Sequence, residues 1–362
     1  MAKKRIFELP ETKGEFKARG FVTGTSKDNF FKETVMKNKK KRNVLRFGIK
    51  VQSDGSTVYC DLQPQEQDNV YFYKKGDKKA NIKGVTTKVP FANRELFKEE
   101  GFEPIGIKVG LEQYIDDKGK LVNKNIPMLE FDGAKYVAEK LTEDVGVFTR
   151  GKLEFSSYTN GSTGDKVKMT KFIPSQISAV TTDINFDDEK FTPVHDFIQT
   201  IVFMDIEMDE SDPNDKKGIL SAKIVNYANI ENAEFIIRDS KVFKTFKKNL
   251  KPYTAIQVFG KVNNRLEVVE VEDDGWGSGN NSFENNSNNF TRELLIVGAN
   301  PSTIDIETYN KAAMEEALEL IKANQIAKEN FGKTDETKEN ESEWGKDLSG
   351  SEGEEGFDDG WG

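Results

Sequence analysis

Hydrophobic and polar residues alternate along several stretches of the chain, a pattern typical of β-strands with one buried face. In the N-terminal half the alternation marks GEFKARGFVT (14–23), VLRFGIKV (44–51) and TVYCDLQ (57–63), and a tight turn joins the last two. Further on, GVFTRGKLEFSSYTN (146–160) and KMTKFIPSQISAV (168–180) predict a hairpin. The first half of the chain is therefore expected to be a meander of bent strands.

Apolar residues at helical spacing interrupt this alternation at three places. Ala134, Val137 and Leu141 follow one another in this way, and so do Phe243, Phe246 and Leu250 farther along. The most regular case holds Met314, Ala317, Leu318 and Ile321 on one face. The predicted helices cover residues 131–144, 240–252 and 307–330.

The order of the predicted elements in the second half indicates a particular fold. Three strands (197–210, 218–229 and 233–239) precede the helix at 240–252, and closing strands follow at 253–272. This is the element order of an OB-fold, a five-stranded Greek-key barrel. The first half is predicted to be a diverged copy with an insertion, mainly on the order of its elements, and in both halves the strand after the helix carries a glycine followed by a lysine. These pairs are Gly151-Lys152 and Gly260-Lys261.

The predicted fold class is mainly β, with two OB-fold-like (Greek-key barrel) units, a C-terminal helix and a disordered acidic tail. Asn, Ser and Gly dominate the stretch after Glu272, which is typical of a flexible linker. The end of the chain is too polar to bury a core. The predicted divisions are a first unit at 1–185 with an insertion at about 76–142, a second unit at 196–272, a linker at 273–290, a helical segment at 291–330 and the tail at 331–362.

Charge is unevenly distributed along the 362 residues, whose net charge is -9. Residues 13–50 hold twelve basic and three acidic residues, whereas residues 331–362 hold three lysines and eleven acids. Such asymmetry suggests a nucleic-acid partner, because lysine and arginine gain affinity by releasing counterions from phosphates.

Single residues exclude several chemistries. Cys60 is the only cysteine and His195 the only histidine, so a Cys/His zinc site of the usual kind cannot form and no internal disulfide exists. His195 has no nucleophile elbow near it and is expected to be a surface or linker histidine. No GxxxxGK[ST] motif is present. We expect no cofactor, no enzymatic activity, no membrane partner and a cytoplasmic location.

Four segments resemble single-stranded DNA-binding proteins, in particular those of tailed bacteriophages that infect low-GC Gram-positive bacteria. They are GEFKARGFVTGT (14–25), FGIKV (47–51), KEEGFEPIGIKVGLE (98–112) and VFTRGKLEFSSY (147–158). The resemblance implies OB-folds that hold DNA in a groove and an acidic tail that recruits replication, recombination and repair proteins. It also implies the host cytoplasm as the location if the chain is phage-encoded. Bacterial members end in Pro-Phe, whereas this chain ends in Trp361-Gly362.

Single-strand binding requires cations for the phosphates and flat rings for the bases. The cations nearest to one another in the basic region are predicted to contact the DNA backbone: Lys37, Lys39, Lys40, Lys41, Arg42 and Arg46. The aromatic residues in or beside this region are the candidates for base stacking: Phe30, Phe31, Tyr59, Tyr71 and Tyr73. Tyr71 and Tyr73 share a strand face, so Phe72 between them is expected to point inward.

Two alternative functions remain open from the sequence. An RNA-binding OB protein would use the same residue types. A metal-dependent nuclease could use Asp205, Glu207 and Asp209, which alternate along a predicted strand and would share a face able to hold Mg²⁺.

The pentapeptide DDGWG occurs twice, at 273–277 and at 358–362. All three tryptophans, Trp276, Trp344 and Trp361, lie outside the predicted folded units. A tryptophan among acids can anchor in a pocket of a partner while the acids steer it to a basic rim. The predicted partner-binding residues of the tail are Phe357, Asp358, Asp359 and Trp361. The tail could instead compete with DNA for the basic groove.

Overall fold

The computed structural model describes residues 5–77, 79–160, 163–213, 215–267 and 289–331. These residues form sixteen strands and three α-helices. The strands are β1 (Gly14–Thr23), β2 (Phe31–Val35), β3 (Lys41–Lys50), β4 (Thr57–Leu62), β5 (Asn69–Lys74), β6 (Val85–Pro90), β7 (Phe102–Pro104), β8 (Ile107–Ile115), β9 (Leu121–Met128), β10 (Gly146–Thr159), β11 (Lys166–Ala179), β12 (Val194–Asp209), β13 (Lys217–Val225), β14 (Ile230–Ile237), β15 (Thr254–Glu267) and β16 (Asn289–Asp305). The helices are α1 (Glu130–Lys140), α2 (Ser240–Asn249) and α3 (Lys311–Phe331).

Five strands of the first half pair into a closed ring. β1 is antiparallel to β3 on one side and to β10 on the other. β3 pairs with β4 and β10 pairs with β11, both antiparallel. The ring closes where β11 runs parallel to β4, with Phe172 opposite Cys60. Helix α1 lies in the chain between the third and fourth strands of this first ring, which consists of β1, β3, β4, β10 and β11.

The second ring, made of β12, β13, β14, β15 and β16, repeats this order. β12 pairs with β13 and β15, β13 pairs with β14, and β15 pairs with β16, all antiparallel. Closure is again a parallel contact between the third and fifth strands, with Ile236 opposite Leu295. Helix α2 lies between the third and fourth strands, and the Asp239 carboxylate caps it by accepting hydrogen bonds from the backbone N–H groups of Lys241 and Val242.

The two rings share one hydrophobic core. β1 of the first ring pairs antiparallel with β12 of the second, from Gly14 opposite Gln199 onward. Phe235 of the second ring lies 6.0 Å, centroid to centroid, from Phe155 of the first ring and 6.0 Å from Phe197. These three phenylalanines belong to a single cluster of buried side chains, and that cluster contains residues from both five-stranded rings. The rings are therefore packed as one body.

Gly151 and Gly260 occupy equivalent positions in the two rings. Each lies at a register shift between the fourth and fifth strands of its ring. A Cβ added to Gly151 would lie 1.9 Å from the carbonyl oxygen of Ile173, and one added to Gly260 would lie 1.9 Å from that of Leu295. Both positions require glycine because the fifth strand passes too close for any side chain.

The fifth strand of the second ring lies beyond the predicted end of that unit at 272. The sequence predicts residues 291–303 as a short extended piece at the start of the segment 291–330, outside the second unit, and the structure pairs this stretch, as part of β16, with β14 and β15. The sequence did not assign it to the second ring because the partners of β16 are distant in the chain and the short apolar run LLIV carries no pairing information.

The described N-terminal residues and α3 pack together against the second ring. Phe7 and Leu9 share a hydrophobic cluster with Met314, Ala317 and Ile321 of α3. The Thr12 side chain accepts a hydrogen bond of 2.8 Å from the backbone N–H of Val225 in β13. The first predicted unit therefore included a segment that the fold places with the second ring.

The chain between β4 and α1 forms the insertion. β5, β6 and β7 make a separate three-stranded sheet, here called the insertion sheet, and β8 and β9 form a hairpin attached to β11. The insertion sheet has its own small core of Val70, Phe72, Val89 and Leu129. None of the described helices is long and apolar enough to cross a bilayer.

The histidine is buried, in contrast to the surface or linker position expected from the sequence. His195 is 8% exposed on β12, and its Nδ1 lies 2.6 Å from the carbonyl oxygen of Val262. Burial lowers the pKa of His195 by disfavouring the charged imidazolium. The linker expectation failed because β12 starts at Val194 and not several residues later.

We expect the free energy of unfolding to fall as the pH decreases from 7 to 5. The unfolded chain takes up a proton near the ordinary histidine pKa of about 6.5, before the folded protein does, so acid favours unfolding. The slope from one proton is at most about 1.4 kcal/mol per pH unit. Denaturant titrations at several pH values measure it, and a His195→Gln variant should lose this part of the slope. Equal slopes in the two proteins would contradict the assignment.

Candidate nucleic-acid interface

A groove of about 330 Å³ runs between the two rings. Its first wall is the outward face of β3 and β4, the second wall comes from β14, β15 and β16, and the β10–β11 hairpin forms its floor and rim. We call it the inter-ring groove. Its polar and aromatic lining consists of Arg46, Tyr59, Asp61, Tyr158, Lys168, Thr170, Lys171, Phe172, Glu234, Asn264, Arg292 and Glu293.

The alternation of inward and outward side chains along β3 and β4 determines which residues form the first wall. Arg46 stands opposite Asp61 and Gly48 opposite Tyr59 in the β3–β4 ladder, while Phe47 and Cys60 point into the core. Tyr59 is half-buried. Burial raises the pKa of the Tyr59 hydroxyl, whereas a Thr57 hydrogen bond and the nearby charge of Arg292 oppose that shift. The Tyr59 side chain therefore stays neutral, and it lies near Arg292 of the second five-stranded ring.

The β10–β11 hairpin is tied to the second ring, which sets the width of the groove. Ser157 Oγ donates a hydrogen bond of 2.7 Å to the Glu231 carboxylate, and Asn226 Nδ2 donates one of 2.8 Å to the carbonyl of Phe155. Lys168 forms an ion pair with Glu234. Each of these contacts joins β10 or β11 to the second ring, so Tyr158 and Lys168 are held at the rim.

Cations and carboxylates line the groove in nearly equal number. Arg46 lies 3.6 Å from Asp61, and Lys168 faces Glu234, so two cations are already oriented by carboxylates. Lys171 forms no ion pair with any residue in the described ranges. Outside this groove, burial and, second to it, the charge of Lys166 lower the pKa of Lys223 on β13.

A second recess between the rings, of about 560 Å³, is a poorer candidate for phosphates. Glu11, Glu15 and Glu154 line it together with only two lysines, Lys13 and Lys152. The excess of carboxylates there would repel a nucleic-acid backbone.

The structure separates the predicted backbone-binding residues. Arg46 lines the inter-ring groove, and Arg42 lines an adjoining recess. Lys37 and Lys39 are exposed at the tip of the β2–β3 hairpin. Lys40 and Lys41 form ion pairs of 2.8 Å with Asp68 and Glu33, respectively. The sequence predicts this segment as one loop, because the polar stretch FKETV lacks the alternation that marks a strand. In the structure FKETV is β2, which forms a strand pair with β3.

Of the predicted stacking residues, one lies in the groove. Tyr59 lines it, whereas Phe30 and Phe31 are partly buried against the hydrophobic core and are poorly placed to stack on a base. Tyr71 and Tyr73 lie on the insertion sheet and are exposed. The expectation that Phe72 points inward is confirmed, since Phe72 is 6% exposed.

Four groove residues were missed by the sequence reasoning: Tyr158, Lys168, Lys171 and Arg292. A signal for two of them was present, because KVKMTK (166–171) carries lysines along the arm of a long hairpin. No such signal existed for Arg292, which reaches the groove only through the pairing of β16.

The acids considered for a nuclease make local hydrogen bonds. Asp205 Oδ1 accepts from the backbone N–H of Ile206, and Asp209 Oδ1 accepts from Ser211. Within the described ranges, no group of three His, Cys, Asp or Glu side chains could hold a metal ion. The tail candidates Phe357, Asp358, Asp359 and Trp361, and both copies of DDGWG, lie outside the described residues.

Comparison with known proteins identifies the family. The family model described as YorF matches residues 77–347, more than half of the chain. The chain belongs to the YorF family. The match covers the β10–β11 hairpin and the whole described part of the second ring, so most of the inter-ring groove lies within the YorF region. No curated protein sequence matches the chain.

Solved structures similar to this YorF-family chain include two forms of one protein. The wild-type single-stranded DNA binding protein from Thermus aquaticus is 8% identical, with a TM-score of 0.39, over 80% of this chain and 93% of that chain. A deletion mutant of the same Thermus aquaticus protein is 10% identical, with a TM-score of 0.38, over 80% and 94% of the two chains.

Proposed function

We propose that the protein binds single-stranded DNA without sequence preference in the inter-ring groove, and that each five-stranded ring is an OB-fold barrel. Support for the barrels comes from their strand pairing. In each ring a helix lies between the third and fourth strands, and the fifth strand closes the ring against the third. This is the arrangement of a five-stranded Greek-key barrel.

The position of the groove is the observation that carries the functional proposal. OB-folds bind oligonucleotides on the face of their second and third strands and with the loops next to it, including the one between strands four and five. In the first ring those strands are β3 and β4, and the fourth–fifth connection is the β10–β11 hairpin. The inter-ring groove is lined by the face of β3 and β4 and by the two arms of the β10–β11 hairpin next to that connection.

The residue types in the groove fit a single strand. Arg46, Lys171 and Arg292 are placed to meet phosphates, and the rings of Tyr59 and Tyr158 are available for bases. Stacking on an aromatic ring tolerates any base, because every base has a π-face. Binding without sequence preference follows from this chemistry.

We further propose that the protein is not an enzyme and coats DNA exposed during replication, recombination or repair. The acidic tail with Phe357, Asp358, Asp359 and Trp361 would recruit partner proteins, or would compete with DNA for the groove. Removing the tail separates these two roles.

Fluorescence anisotropy of a labelled dT oligonucleotide, titrated with the full chain over a salt series, tests the proposal. Each phosphate neutralised on a single strand contributes about 0.7 to the slope of log K against log salt. With about four groove cations engaged, we expect a slope of about −3. The same titration with a chain ending at Phe331 should show tighter binding if the tail competes and equal binding if it only recruits.

Unlabelled RNA of the same length serves as the competitor. If RNA displaces the labelled DNA at the same concentration that unlabelled DNA requires, the RNA-binding alternative is favoured. Absence of binding by the full and the shortened chain at low salt would refute the proposal.

A further inference from the structure

The insertion sheet buries one face and exposes a pair of tyrosines on the other. Val70 and Phe72 of β5 pack in the small core, whereas Tyr71 and Tyr73 are 47% and 43% exposed. Alternate residues on a strand are roughly 6.7 Å apart, so the two rings stand side by side on the open face.

Lysines lie along the β6 side of this pair. Residues 74–88 contain six lysines and one acid. Lys88 stands directly opposite Tyr71 in the β5–β6 ladder and Thr86 stands opposite Tyr73, whereas on the β7 side Glu103 stands opposite Tyr73. Lys75, Lys79 and Lys83 are exposed and, like Lys88, form no ion pair with any described residue. The combination of free cations and open rings is the surface chemistry that single-stranded nucleic acid requires.

A continuous path connects the insertion sheet to the inter-ring groove. The recess that contains Arg42 shares Asp61 and Lys171 with the groove. That recess in turn shares Pro64, Gln65 and Glu130 with a smaller one, and Tyr71 lines the smaller recess. The β2–β3 hairpin runs beside this path, since Lys40 pairs with Asp68 and the Lys41 N–H donates to Glu66.

We propose that the exposed face of the insertion sheet is a second binding surface for the same DNA strand. The strand that leaves the inter-ring groove passes Arg42 and continues onto the sheet, where Tyr71 and Tyr73 stack on bases and Lys88 meets the phosphates. This inference rests on the proposed function of the groove. It assigns a role to the insertion, which lengthens the stretch of DNA that one protein molecule covers.

Binding of a series of labelled dT oligonucleotides, from roughly 8 to 40 nucleotides, tests the inference with the full chain. For a Tyr71→Ala/Tyr73→Ala variant, we expect unchanged affinity for short oligonucleotides, which fill only the groove. Above a threshold length the affinity should be about 25-fold or more below that of the wild type, because two stacking contacts are lost. The number of nucleotides occluded per protein should also decrease.

Two control variants separate stacking from folding. Tyr71→Phe/Tyr73→Phe keeps both rings and should bind long oligonucleotides as the wild type does. Tyr114→Ala removes a tyrosine that is 54% exposed on β8, away from the path, and should have no effect at any length. Photocrosslinking of a strand containing 5-iodouracil should attach to the peptide with Tyr71 and Tyr73.

The outcomes distinguish this inference from the proposed function. If the double alanine variant binds long oligonucleotides as well as the wild type, or loses equal affinity at every length, the second surface is refuted and the groove is untouched. If the wild type binds no oligonucleotide of any length, the proposed function fails and the second surface fails with it.

Discussion

Replacing Tyr59 and Tyr158 together by alanine is expected to weaken the binding of dT oligonucleotides of every length by about 25-fold or more. Each base–ring stack contributes about 1–3 kcal/mol, so the loss of two contacts costs at least about 2 kcal/mol. Both rings line the inter-ring groove, Tyr59 from β4 and Tyr158 from the hairpin arm. Equilibrium titration by fluorescence anisotropy measures the change.

The control for this pair keeps the aromatic surface. Tyr59→Phe/Tyr158→Phe should retain most of the affinity, because a phenylalanine ring stacks as a tyrosine ring does. Tyr59 is half-buried, so the thermal unfolding of each variant must be compared with that of the wild type. A double alanine variant that unfolds at the wild-type temperature and binds with wild-type affinity would show that the strand does not lie in this groove.

Phe235→Ala is expected to reduce the free energy of unfolding by about 3–5 kcal/mol. The Phe235 ring is fully buried, and it contacts Phe155 of the first ring and Phe197 of the second. Its removal leaves a cavity where the two rings share their core. Because that core is continuous, we expect both rings to unfold in one transition at a lower denaturant concentration.

Circular dichroism in a denaturant titration and hydrogen exchange of the strand amides measure these two effects. Phe259→Ala is a matched control, since Phe259 lies on β15 of the same ring but is 42% exposed. Phe259→Ala should reduce the free energy of unfolding clearly less than Phe235→Ala does. Equal costs for the two variants, or separate transitions for the two rings, would contradict a shared core.

Much of the fold could be predicted from local sequence patterns. The alternation in GEFKARGFVT corresponds to β1, whose Phe16, Ala18 and Val22 point into the core. The three predicted helices are present as α1, α2 and α3, with ends within a few residues of the prediction. The glycine–lysine pairs that suggested a repeat lie at equivalent bends in the two rings. Such features depend on residues that are close in the chain.

The candidate site was predicted only in part. Arg46 and Tyr59 were chosen for their residue type in a basic, aromatic region, and both line the inter-ring groove. Phe30 and Phe31 are also aromatic, but they pack against the core and so are not available to stack on bases. Residue type alone does not distinguish a ring in the core from a ring at the surface.

The sequence by itself determined the three helices, most strands of the two rings, the charge asymmetry and the absence of a usual zinc or disulfide chemistry. Only the tertiary structure decided that β16 closes the second ring, that the N-terminal residues pack beside α3, and that a groove lies between the rings. The reason is physical. Periodicity and residue counts are local properties, whereas the groove is built from strands such as β4, β11 and β16, which meet through pairings between distant parts of the chain.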